Sequence, residues 1–374
     1  MSAVERVLVV GAGSAGCVVA TLLARAGVEV DVVEIHDDVT ALGSGITVQG
    51  NALRVLREIG AWDVAEQDGF GFHSTGIRLP DGTLLVELDD IKTGGPDLPA
   101  TMGMERRKLA KVLVESATAA GAALRFGTTV SGFVDDGSGV DVTFSDGSAG
   151  RYDLVIGADG VRSTVRSMIG IETEPEPTGM GIFRVFTGRP ESITRTDLCF
   201  DGPCYIAGFC PTGVNSMYAY LVEPQQDRSD MLPEDRLAHM RRLAEAYHGP
   251  WDDIRELMTD PSTVHYALFE KMLLERPWWR GRVALIGDAA HTCPPTVAQG
   301  AAQAMEDALV MAESLLAHHD VDTALGAFME RRFERAKTVV EASVQIGQWM
   351  IDDDPDANIP GLMMQTLGAL CAPA

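Results

Sequence analysis

Basic residues are scarce in this sequence. Its 374 residues include 30 lysines and arginines against 54 aspartates and glutamates, which gives a formal net charge of −24 at pH 7. A surface with this excess of negative charge repels nucleic acid and anionic lipid headgroups. We therefore predict that the protein binds neither nucleic acid nor a membrane surface.

Cysteines and long apolar runs are also scarce. The six cysteines form no Cys-x-x-Cys pair, so the sequence predicts no zinc framework and no other bound metal. No apolar run has the length and flanks of a signal peptide or a membrane span, and we expect a cytoplasmic protein. The chain is nevertheless 46% hydrophobic, enough to bury a large core, and its length predicts two domains.

A glycine-rich segment near the N-terminus lies between a predicted strand and a predicted helix. Residues 7–10 are apolar, and Gly11, Gly13 and Gly16 follow them with GxGxxG spacing. In this motif the first glycine allows a tight turn, the second admits a pyrophosphate, and the third lets helix and strand pack closely. Glu34 ends the next strand, where a carboxylate can accept both hydroxyls of a ribose. The pattern predicts a dinucleotide site without distinguishing a flavin from a nicotinamide dinucleotide.

The middle of the chain contains strands without intervening helices. Short β-rich segments alternate with turns across residues 181–222. Strands connected this closely pair in antiparallel fashion, so we predict a second domain built on an antiparallel sheet. A hairpin is predicted at 76–88, and long helices are predicted at 299–318 and 324–350.

A second motif occupies residues 157–166, with the sequence GADGVRSTVR. It follows a predicted buried strand, and Asp159 and Gly160 provide a sharp turn. Ser163 can cap the helix that follows. Taken alone, the segment is also compatible with an ordinary capped helix with surface arginines.

A third motif, GDAAH at 287–291, ends another predicted strand. Asp288 stands where a carboxylate could bind a hydroxyl of a sugar or ribityl chain. Gly300 begins a long helix, whose N-terminal N–H groups could hold an anion. We interpret His291 as a structural histidine in preference to a catalytic one.

These three motifs, in this order, resemble the fingerprints of the single-component FAD-dependent aromatic hydroxylases, the p-hydroxybenzoate hydroxylase-like flavoprotein monooxygenases. The resemblance extends over nearly the whole chain. The Ala-Gln-Gly-Ala sequence at 298–301 is most similar to the branch of 3-hydroxybenzoate 6-hydroxylase, 6-hydroxynicotinate 3-monooxygenase and hydroxypyridine-carboxylate oxygenase. One departure is that Ile35 and His36 follow the ribose glutamate, where the family usually has an arginine.

The resemblance implies an α/β fold, with a Rossmann-like FAD-binding domain, a second, mainly antiparallel β-sheet substrate domain and C-terminal helices. We expect a monomer or a homodimer. The tail beyond residue 350 contains prolines and glycines and is expected to be loosely packed. The predicted boundaries are 1–75, 100–180 and 267–350 for the FAD-binding domain, 76–99 and 181–266 for the substrate domain, and 351–374 for the tail.

The resemblance also implies the cofactors, which are noncovalent FAD and NADH or NADPH as a transient reductant. In the family, the equivalents of Glu34 and Asp288 bind the adenosine ribose and the ribityl chain, and the equivalent of Arg106 contacts the cofactor. The segment at 43–51 resembles the stretch beside the flavin ring. The predicted cofactor-binding residues are Gly11, Gly13, Ser14, Ala15, Gly16, Glu34, Gly45, Ile46, Arg106, Val130, Asp159, Asp288, Gly300 and Ala301.

The implied chemistry limits the substrate. A flavin hydroperoxide, formed from reduced FAD and O2, is an electrophile and requires an electron-rich aromatic ring. A phenol or hydroxypyridine becomes more electron-rich when it loses its proton. We therefore predict a monooxygenase that hydroxylates a small phenolic or hydroxypyridine substrate with O2 and NADH or NADPH.

Candidate substrate contacts lie in the predicted antiparallel sheet. Tyr205 is the predicted catalytic residue, orienting a substrate hydroxyl by hydrogen bonding, although a tyrosine in a strand is also common in a core. Strand alternation places Ala207 and Phe209 on the same side as Tyr205. Arg184 could pair with a substrate carboxylate, although an arginine in an edge strand is usually only solvated. The predicted substrate-binding residues are Arg184, Phe209, Tyr218 and Pro294, with His73 and Tyr220 as weaker candidates.

Alternative functions remain open. The same fold could support a flavin reductase or dehydrogenase, or a halogenase, although Trp278-Trp279-Arg280 does not match the WxWxIP pattern of tryptophan-type halogenases. A nicotinamide-binding sensor without chemistry is a third alternative. Asp288 argues against the sensor, since a ribityl-binding aspartate serves FAD.

Overall fold

The computed structural model describes residues 2–38 and 44–374. Gly43, which begins the predicted flavin-side segment, lies outside the described residues. The strands are β1 (Arg6–Val10), β2 (Glu29–Glu34), β3 (Gly45–Gln49), β4 (Phe70–Phe72), β5 (Ser74–Arg78), β6 (Leu84–Asp89), β7 (Thr101–Glu105), β8 (Ala123–Phe126), β9 (Val130–Asp135), β10 (Val140–Phe144), β11 (Ala149–Tyr152), β12 (Leu154–Gly157), β13 (Glu176–Gly188), β14 (Thr196–Cys199), β15 (Ile206–Pro211), β16 (Ser216–Pro224), β17 (Val264–Leu273), β18 (Trp279–Arg280), β19 (Val283–Leu285) and β20 (His291–Thr292). The helices are α1 (Ser14–Arg25), α2 (Gly50–Glu58), α3 (Trp62–Asp68), α4 (Arg106–Ala119), α5 (Thr164–Met168), α6 (Pro233–Ala244), α7 (Pro250–Leu257), α8 (Gly300–Ala317), α9 (Val321–Asp352) and α10 (Ile359–Ala369).

A six-stranded sheet carries the three sequence motifs. Its order is β18-β19-β12-β1-β2-β8, and the neighbouring strands are parallel except β18 with β19. The apolar runs of β1, β12 and β19 are almost completely buried, as expected for strands covered on both faces. Because parallel strands end at the same edge of a sheet, the segments containing Gly11, Glu34, Asp159 and Asp288 meet at one edge.

An eight-stranded sheet forms the second layer of the molecule. Its order is β20-β17-β13-β16-β15-β14-β5-β6, and only β14 and β5 pair in parallel. The predicted hairpin is present as β5 and β6. Together the two sheets and the C-terminal helices confirm the predicted α/β class with a second, mainly antiparallel sheet.

The two faces of the eight-stranded sheet have different surroundings. On one face, Phe183, Val185 and Phe209 pack with Trp251 of α7 and Met240 of α6 into a separate core. The other face looks toward β3 and β7, two strands that pair with each other. We name as the cleft the region where this second face, with Arg184, Tyr218 and Tyr220, meets β3 and the edge of the six-stranded sheet. The remaining sheets are small, β11-β10-β9 and β3-β7-β4.

Local contacts define the strand before the second motif and the C-terminal tail. Asp153 separates β11 from β12, and its Oδ2 accepts the N–H groups of Glu5 and Arg6 at 2.7 and 2.8 Å. The C-terminal tail, expected to be loosely packed, is mostly exposed, although Thr366 and Leu370 are buried. It contains α10, and Arg335 of α9 donates hydrogen bonds to the carbonyls of Ala369 and Leu370 at 3.2 and 3.1 Å.

Within the described ranges, no helix combines the length and the apolar character needed to cross a bilayer.

Candidate functional site

The glycine-rich turn between β1 and α1 leaves open space at its middle glycine. Gly11 has a φ of +105°, and a side chain there would collide with the carbonyl of Ala158. A side chain at Gly16 would collide with the Gly11 carbonyl oxygen, whereas a Cβ atom at Gly13 would meet no atom within 4 Å. The fold therefore requires the first and third glycines. The second faces open space at the N-terminus of α1, which begins at Ser14.

Glu34 ends β2 beside this turn. Its Oε2 accepts the N–H of Ala12 at 2.9 Å, and its Oε1 accepts the N–H of His36 at 3.0 Å. The two backbone donors hold the carboxylate at the edge of the sheet, next to the open space at Gly13. This is the position expected for an acceptor of ribose hydroxyls, and the role of Glu34 stays a prediction.

The side chain of Asp159 accepts hydrogen bonds at the start of α5. Its Oδ1 accepts the hydroxyl of Ser163 at 2.5 Å, and its Oδ2 accepts the N–H groups of Thr164 and Val165 at 2.7 and 3.1 Å. Ser163 in turn accepts the N–H of Arg166 at 2.9 Å, which confirms the predicted cap of α5. The side chain of Asp159 thus shapes the turn, and its predicted contact with a cofactor stays a prediction.

The turn after β19 exposes Asp288. In the described part of the chain, its carboxylate has no hydrogen bond or ion pair, and its backbone carbonyl accepts the Thr292 hydroxyl at 3.1 Å. Desolvation by the surrounding protein atoms raises the pKa of Asp288, and the charges of His291 and Arg106 oppose this shift. An acceptor without a partner at this edge is available to a hydroxylated ligand.

His291 is buried and paired. Its Nε2 lies 2.6 Å from Oδ2 of Asp307, and its ring centroid lies 5.0 Å from that of Trp278. The side chain is 4% exposed and points away from Asp288 into the core beside α8. This geometry agrees with the structural interpretation of the histidine.

The paired side-chain amides of Asn51 and Gln299 hold the start of α8. The Nδ2 of Asn51 donates to Oε1 of Gln299 at 3.0 Å, and the Nε2 of Gln299 donates to Oδ1 of Asn51 at 3.2 Å. A Cβ atom at Gly300 would meet no atom within 4 Å. The first N–H groups of a helix have no intrahelical acceptor, so those of Gly300 and Ala301 offer donors and a positive dipole end to a ligand.

One face of the eight-stranded sheet meets these elements through two tyrosines. Arg184 of β13 pairs with Tyr220 of β16, so their side chains share a face. The ring of Tyr218 stacks on Tyr220 with centroids 5.5 Å apart, and it covers the Cα atom of Gly45. The Tyr218 hydroxyl lies 2.7 Å from Oγ1 of Thr47. The structure therefore brings predicted flavin-side and substrate-side residues into direct contact.

Arg184 is a charged group without a protein partner. Its guanidinium has no hydrogen bond or ion pair within residues 2–38 and 44–374. Burial and the nearby charge of Arg106 lower the pKa of Arg184 to about 10, so it remains a cation at neutral pH. Arg106 also acts electrostatically on Asp288 and Tyr218. The cleft thus contains two cations in a chain whose net charge is −24.

The predicted orientation of one strand was wrong. Phe209 is 1% exposed and lies in the core under α6 and α7, with its ring centroid 6.4 Å from that of Trp251. Ala207 lies in the same core. The alternation begins at Ile206, the first residue of β15, which packs with Tyr205 on the cleft side of the sheet. Phe209 therefore does not face the cleft, and it lies on the opposite side of the sheet from Tyr205.

The other predicted residues occupy less direct positions. Val130 is 2% exposed at the start of β9, so its side chain is not available to a ligand and any contact would be through its backbone. Thr128, two residues earlier, donates its N–H to the Glu34 carbonyl at 3.0 Å. Ile46 follows Gly45 in β3 and is half-buried, and Pro294 is buried before α8.

Sequence inspection missed the polar residues that support the cleft. Thr47 and Asn51 anchor its walls, and Asp307 and Arg332 form a buried ion pair beneath it with Arg332 Nε 2.7 Å from Asp307 Oδ1. The adjacent acids at 306 and 307, inside an otherwise apolar helix, were the available signal. Their partner lies on another helix, and nothing in the local pattern identifies it.

Comparisons with known proteins agree with this geometry. A family model described as FAD binding domain matches residues 5–343. YetM of Bacillus subtilis (strain 168), provisionally named an FAD-dependent monooxygenase, is 32% identical over 359 residues, covering 94% of this chain and 96% of its own. The 6-hydroxynicotinate 3-monooxygenase of Pseudomonas fluorescens is 30% identical over 374 residues, covering 95% and 94%.

Two further similarities concern other substrates. The 2-heptyl-3-hydroxy-4(1H)-quinolone synthase of Pseudomonas aeruginosa (strain PAO1) is 29% identical over 355 residues, covering 92% of this chain and 90% of its own. Among solved structures, Klebsiella pneumoniae HpxO complexed with FAD and uric acid has a TM-score of 0.86 at 22% identity, covering 98% of this chain and 96% of that chain. At this identity the second similarity supports the fold.

Proposed function

We propose, from the premise that this chain belongs to the FAD binding domain family and is an FAD-dependent monooxygenase, that it hydroxylates a small electron-rich aromatic acid. The proposed substrate carries a ring hydroxyl and an anionic group. The proposed co-substrates are O2 and NADH or NADPH, and FAD is the resident cofactor.

The observation that carries the proposal is the unpaired cation Arg184. A half-buried guanidinium without a carboxylate is unfavourable in the free protein, and a substrate anion would relieve this cost. Tyr220 lies beside it on the same sheet face, and Tyr218 stacks on Tyr220 at 5.5 Å. An aromatic acid could therefore bind with its anionic group on Arg184 and its ring along the tyrosines.

The residues at the edge of the six-stranded sheet fit FAD. The open space at Gly13 would admit the diphosphate at the N-terminus of α1, Glu34 would accept the ribose hydroxyls, and Asp288 would bind the ribityl chain. When bound, FAD supplies electron transfer from the reductant and the activation of O2. The protein's own task is to orient the substrate ring and to keep water from the reaction.

We also propose that residues 76–99 and 181–266 form the substrate domain. The support is the pairing of β5 with β14, which adds the hairpin to the sheet that carries Arg184. Residues 1–75, 100–180 and 267–350 are proposed as the FAD-binding domain. The single GxGxxG motif is occupied by FAD in this proposal, so the nicotinamide reductant binds transiently.

A second candidate is a larger bicyclic aromatic with an apolar substituent, such as a quinolone. It is favoured by the apolar cluster next to Tyr220, which contains the buried side chains of Ile182, Ile206, Val222 and Phe269. An alkyl chain could contact the partly exposed residues at the edge of this cluster, Leu198, Phe200 and Tyr205, at a distance from Arg184. The relative named a quinolone synthase makes this class worth testing.

The test is a substrate screen with matched pairs. The purified FAD-loaded protein receives NADH or NADPH with hydroxybenzoates and hydroxynicotinates, with the corresponding phenols and hydroxypyridines lacking the carboxylate, and with a 2-alkyl-4-quinolone. Reductant oxidation, O2 uptake and product mass are followed together. We expect slow oxidation of the reductant alone and acceleration, with addition of one oxygen atom, by an acid.

Each outcome decides between the candidates. Equal turnover of an acid and its carboxylate-free partner would contradict the role of Arg184. Turnover of the quinolone alone would establish the second candidate. Acceleration of reductant oxidation without any oxygenated product from the whole panel would favour the reductase or dehydrogenase alternative.

A further inference from the structure

A buried carboxylate fixes both ends of the turn that exposes Asp288. Asp307 lies in α8 with no exposed side-chain surface. Its Oδ2 accepts the N–H of Gly287 at 2.8 Å and lies 2.6 Å from Nε2 of His291. Its Oδ1 accepts Nε of Arg332 at 2.7 Å. One side chain therefore contacts the first and the last residue of the motif at 287–291.

The backbone between these two contacts is also held. The carbonyl of Ala289 accepts a hydrogen bond from Arg166 at 3.2 Å, and the N–H of Ala290 donates to the Gly287 carbonyl at 2.9 Å. In the described residues, Asp288 alone has a side-chain polar group in this turn without a partner. The turn is thus constrained from the core side, and its one unpaired carboxylate is exposed.

The turn also lies where two helices meet. Gly287 has a φ of +62°, and a Cβ atom there would lie 3.1 Å from the Cβ of Ala304 in α8 and 3.4 Å from that of Ala15 in α1. Ala15 belongs to the first turn of the helix that follows the GxGxxG motif. A shift of the Gly287 turn would therefore change the distance between Asp288 and the predicted diphosphate site.

The charges beneath the turn need an explanation other than stability. Arg332 contacts both Asp307 and Glu306, and its side chain is fully buried. A buried ion pair often contributes little net stability, because desolvation offsets the attraction between the charges. Fixing the geometry of a neighbouring group is a better explanation for such a cluster.

We propose that Asp307 is a positioning residue for FAD, which holds the Gly287 turn so that Asp288 faces the ribityl chain of the cofactor. The proposal requires FAD binding through Asp288 and is independent of the proposed substrate. Its failure and that of the substrate assignment are therefore distinguishable, because FAD affinity is measured without substrate.

The test is a double-mutant cycle on FAD affinity. Asp307→Asn keeps the size of the side chain but removes the charge and one of the strong acceptors, and we expect the Kd for FAD to rise about tenfold. Asp288→Ala should raise the Kd at least as much. Because Asp307 acts through Asp288, the double variant should bind FAD no more weakly than Asp288→Ala alone. Fully additive effects would overturn the proposal.

A matched control separates positioning from stability. Leu315→Ala lies on the same helix and is fully buried, but it is about 12 Å along the helix from Asp307. We expect its Tm to fall while its Kd for FAD stays within about twofold of the parent value. A comparable loss of FAD affinity in Leu315→Ala would assign the effect of Asp307→Asn to general destabilisation and contradict positioning.

A second pair of variants decides the matter if Asp307→Asn does not fold. His291→Leu removes the contact with Asp307, whereas His291→Gln retains an amide donor toward it. The proposal requires a higher Kd for FAD in His291→Leu and recovery of most of the affinity in His291→Gln. Equal Kd values for His291→Leu and the parent protein would overturn it.

Discussion

Single side chains in the cleft differ in how far the protein satisfies them. Glu34 accepts two backbone N–H groups, whereas Asp288 and Arg184 have no polar partner in the part of the chain that the structure describes. Polar groups that lose contact with water normally have partners, and the protein desolvates both Asp288 and Arg184, so their lack of a partner indicates where ligand groups bind. The two unpaired groups have opposite charges and suit different ligand groups, a hydroxyl at Asp288 and an anion at Arg184.

Glu34→Ala should weaken FAD binding without unfolding the protein. Each charged hydrogen bond lost to a ribose hydroxyl should cost roughly 1.5–3 kcal/mol of binding free energy. Flavin fluorescence titration gives the Kd, and a thermal melt without added FAD reports folding. Glu29→Ala on the same strand is the control, since Glu29 is exposed at the other end of the strand and pairs with Arg6. Parent-like affinity in Glu34→Ala would contradict the assignment.

Arg184→Met should stabilise the protein while impairing its reaction. The folded-state pKa of about 10 lies below the ordinary value of 12.5, so folding disfavours the charged form of Arg184. This cost is fully present at neutral pH and is relieved only as the pH rises through about 10. Replacing the cation by an apolar side chain should therefore raise the free energy of unfolding by roughly 1 kcal/mol.

The matching functional measurement is the KM for an aromatic acid. We expect it to increase at least about tenfold in Arg184→Met, the equivalent of one charged hydrogen bond. Arg151→Met is the control, because Arg151 is exposed and paired with Asp136 and Asp141. A lower melting temperature for Arg184→Met than for the parent would show that Arg184 is satisfied within the protein.

At the scale of elements, the site lies where the edge of the six-stranded sheet faces one side of the eight-stranded sheet. The turns after β1, β2, β12 and β19 meet because the strands are parallel, and β13 and β16 bring their cleft-side residues opposite to them. The glycines of the first turn perform separate tasks within a single element. Gly16 permits α1 to approach its own turn, and Gly13 leaves space for a ligand.

Alanine substitution should separate these two tasks. Gly16→Ala would place a methyl group against the Gly11 carbonyl oxygen, so it should destabilise the fold by about 1–3 kcal/mol or more. Gly13→Ala meets no protein atom within 4 Å and should melt like the parent without FAD. Its methyl group would occupy the proposed diphosphate space, and the Kd for FAD should rise. Parent-like FAD affinity in Gly13→Ala would contradict diphosphate binding at this turn.

At the scale of the whole molecule, charge is distributed unevenly. The chain has a net charge of −24 and an isoelectric point near 4.6, yet its cleft contains Arg106 and Arg184. Beneath the cleft, burial favours the neutral forms of Glu306 and Asp307, but their hydrogen bonds and the nearby positive charges outweigh this effect. Hydrogen bonds from Arg335 and the charge of Arg332 lower the pKa of Glu306, and His291 and Arg332 lower that of Asp307 to about 2.

These shifts predict how stability depends on pH. Carboxyl groups whose pKa is depressed by folding stabilise the protein above their unfolded pKa values, about 4, and this contribution is lost as the pH falls toward 2. From pH 7 toward the isoelectric point, falling self-repulsion should maintain or raise stability. Urea denaturation at stepwise pH should therefore show a plateau followed by a steep loss below about pH 4. A shallower acid limb in Asp307→Asn would support the assignment, and an unchanged limb would contradict it.

The sequence by itself determined the features that depend on neighbouring residues. The βαβ unit, its GxGxxG turn, the hairpin and the cap at Ser163 follow from local spacing and turn chemistry, and the three ordered motifs identified the family. Only the tertiary structure decided what depends on distant segments. The cleft-side position of Tyr205 and the opposite position of Phe209 follow from where β15 begins against β16. The pairing of Asp307 with Arg332 depends on how α8 packs on α9, and no local pattern specifies that contact.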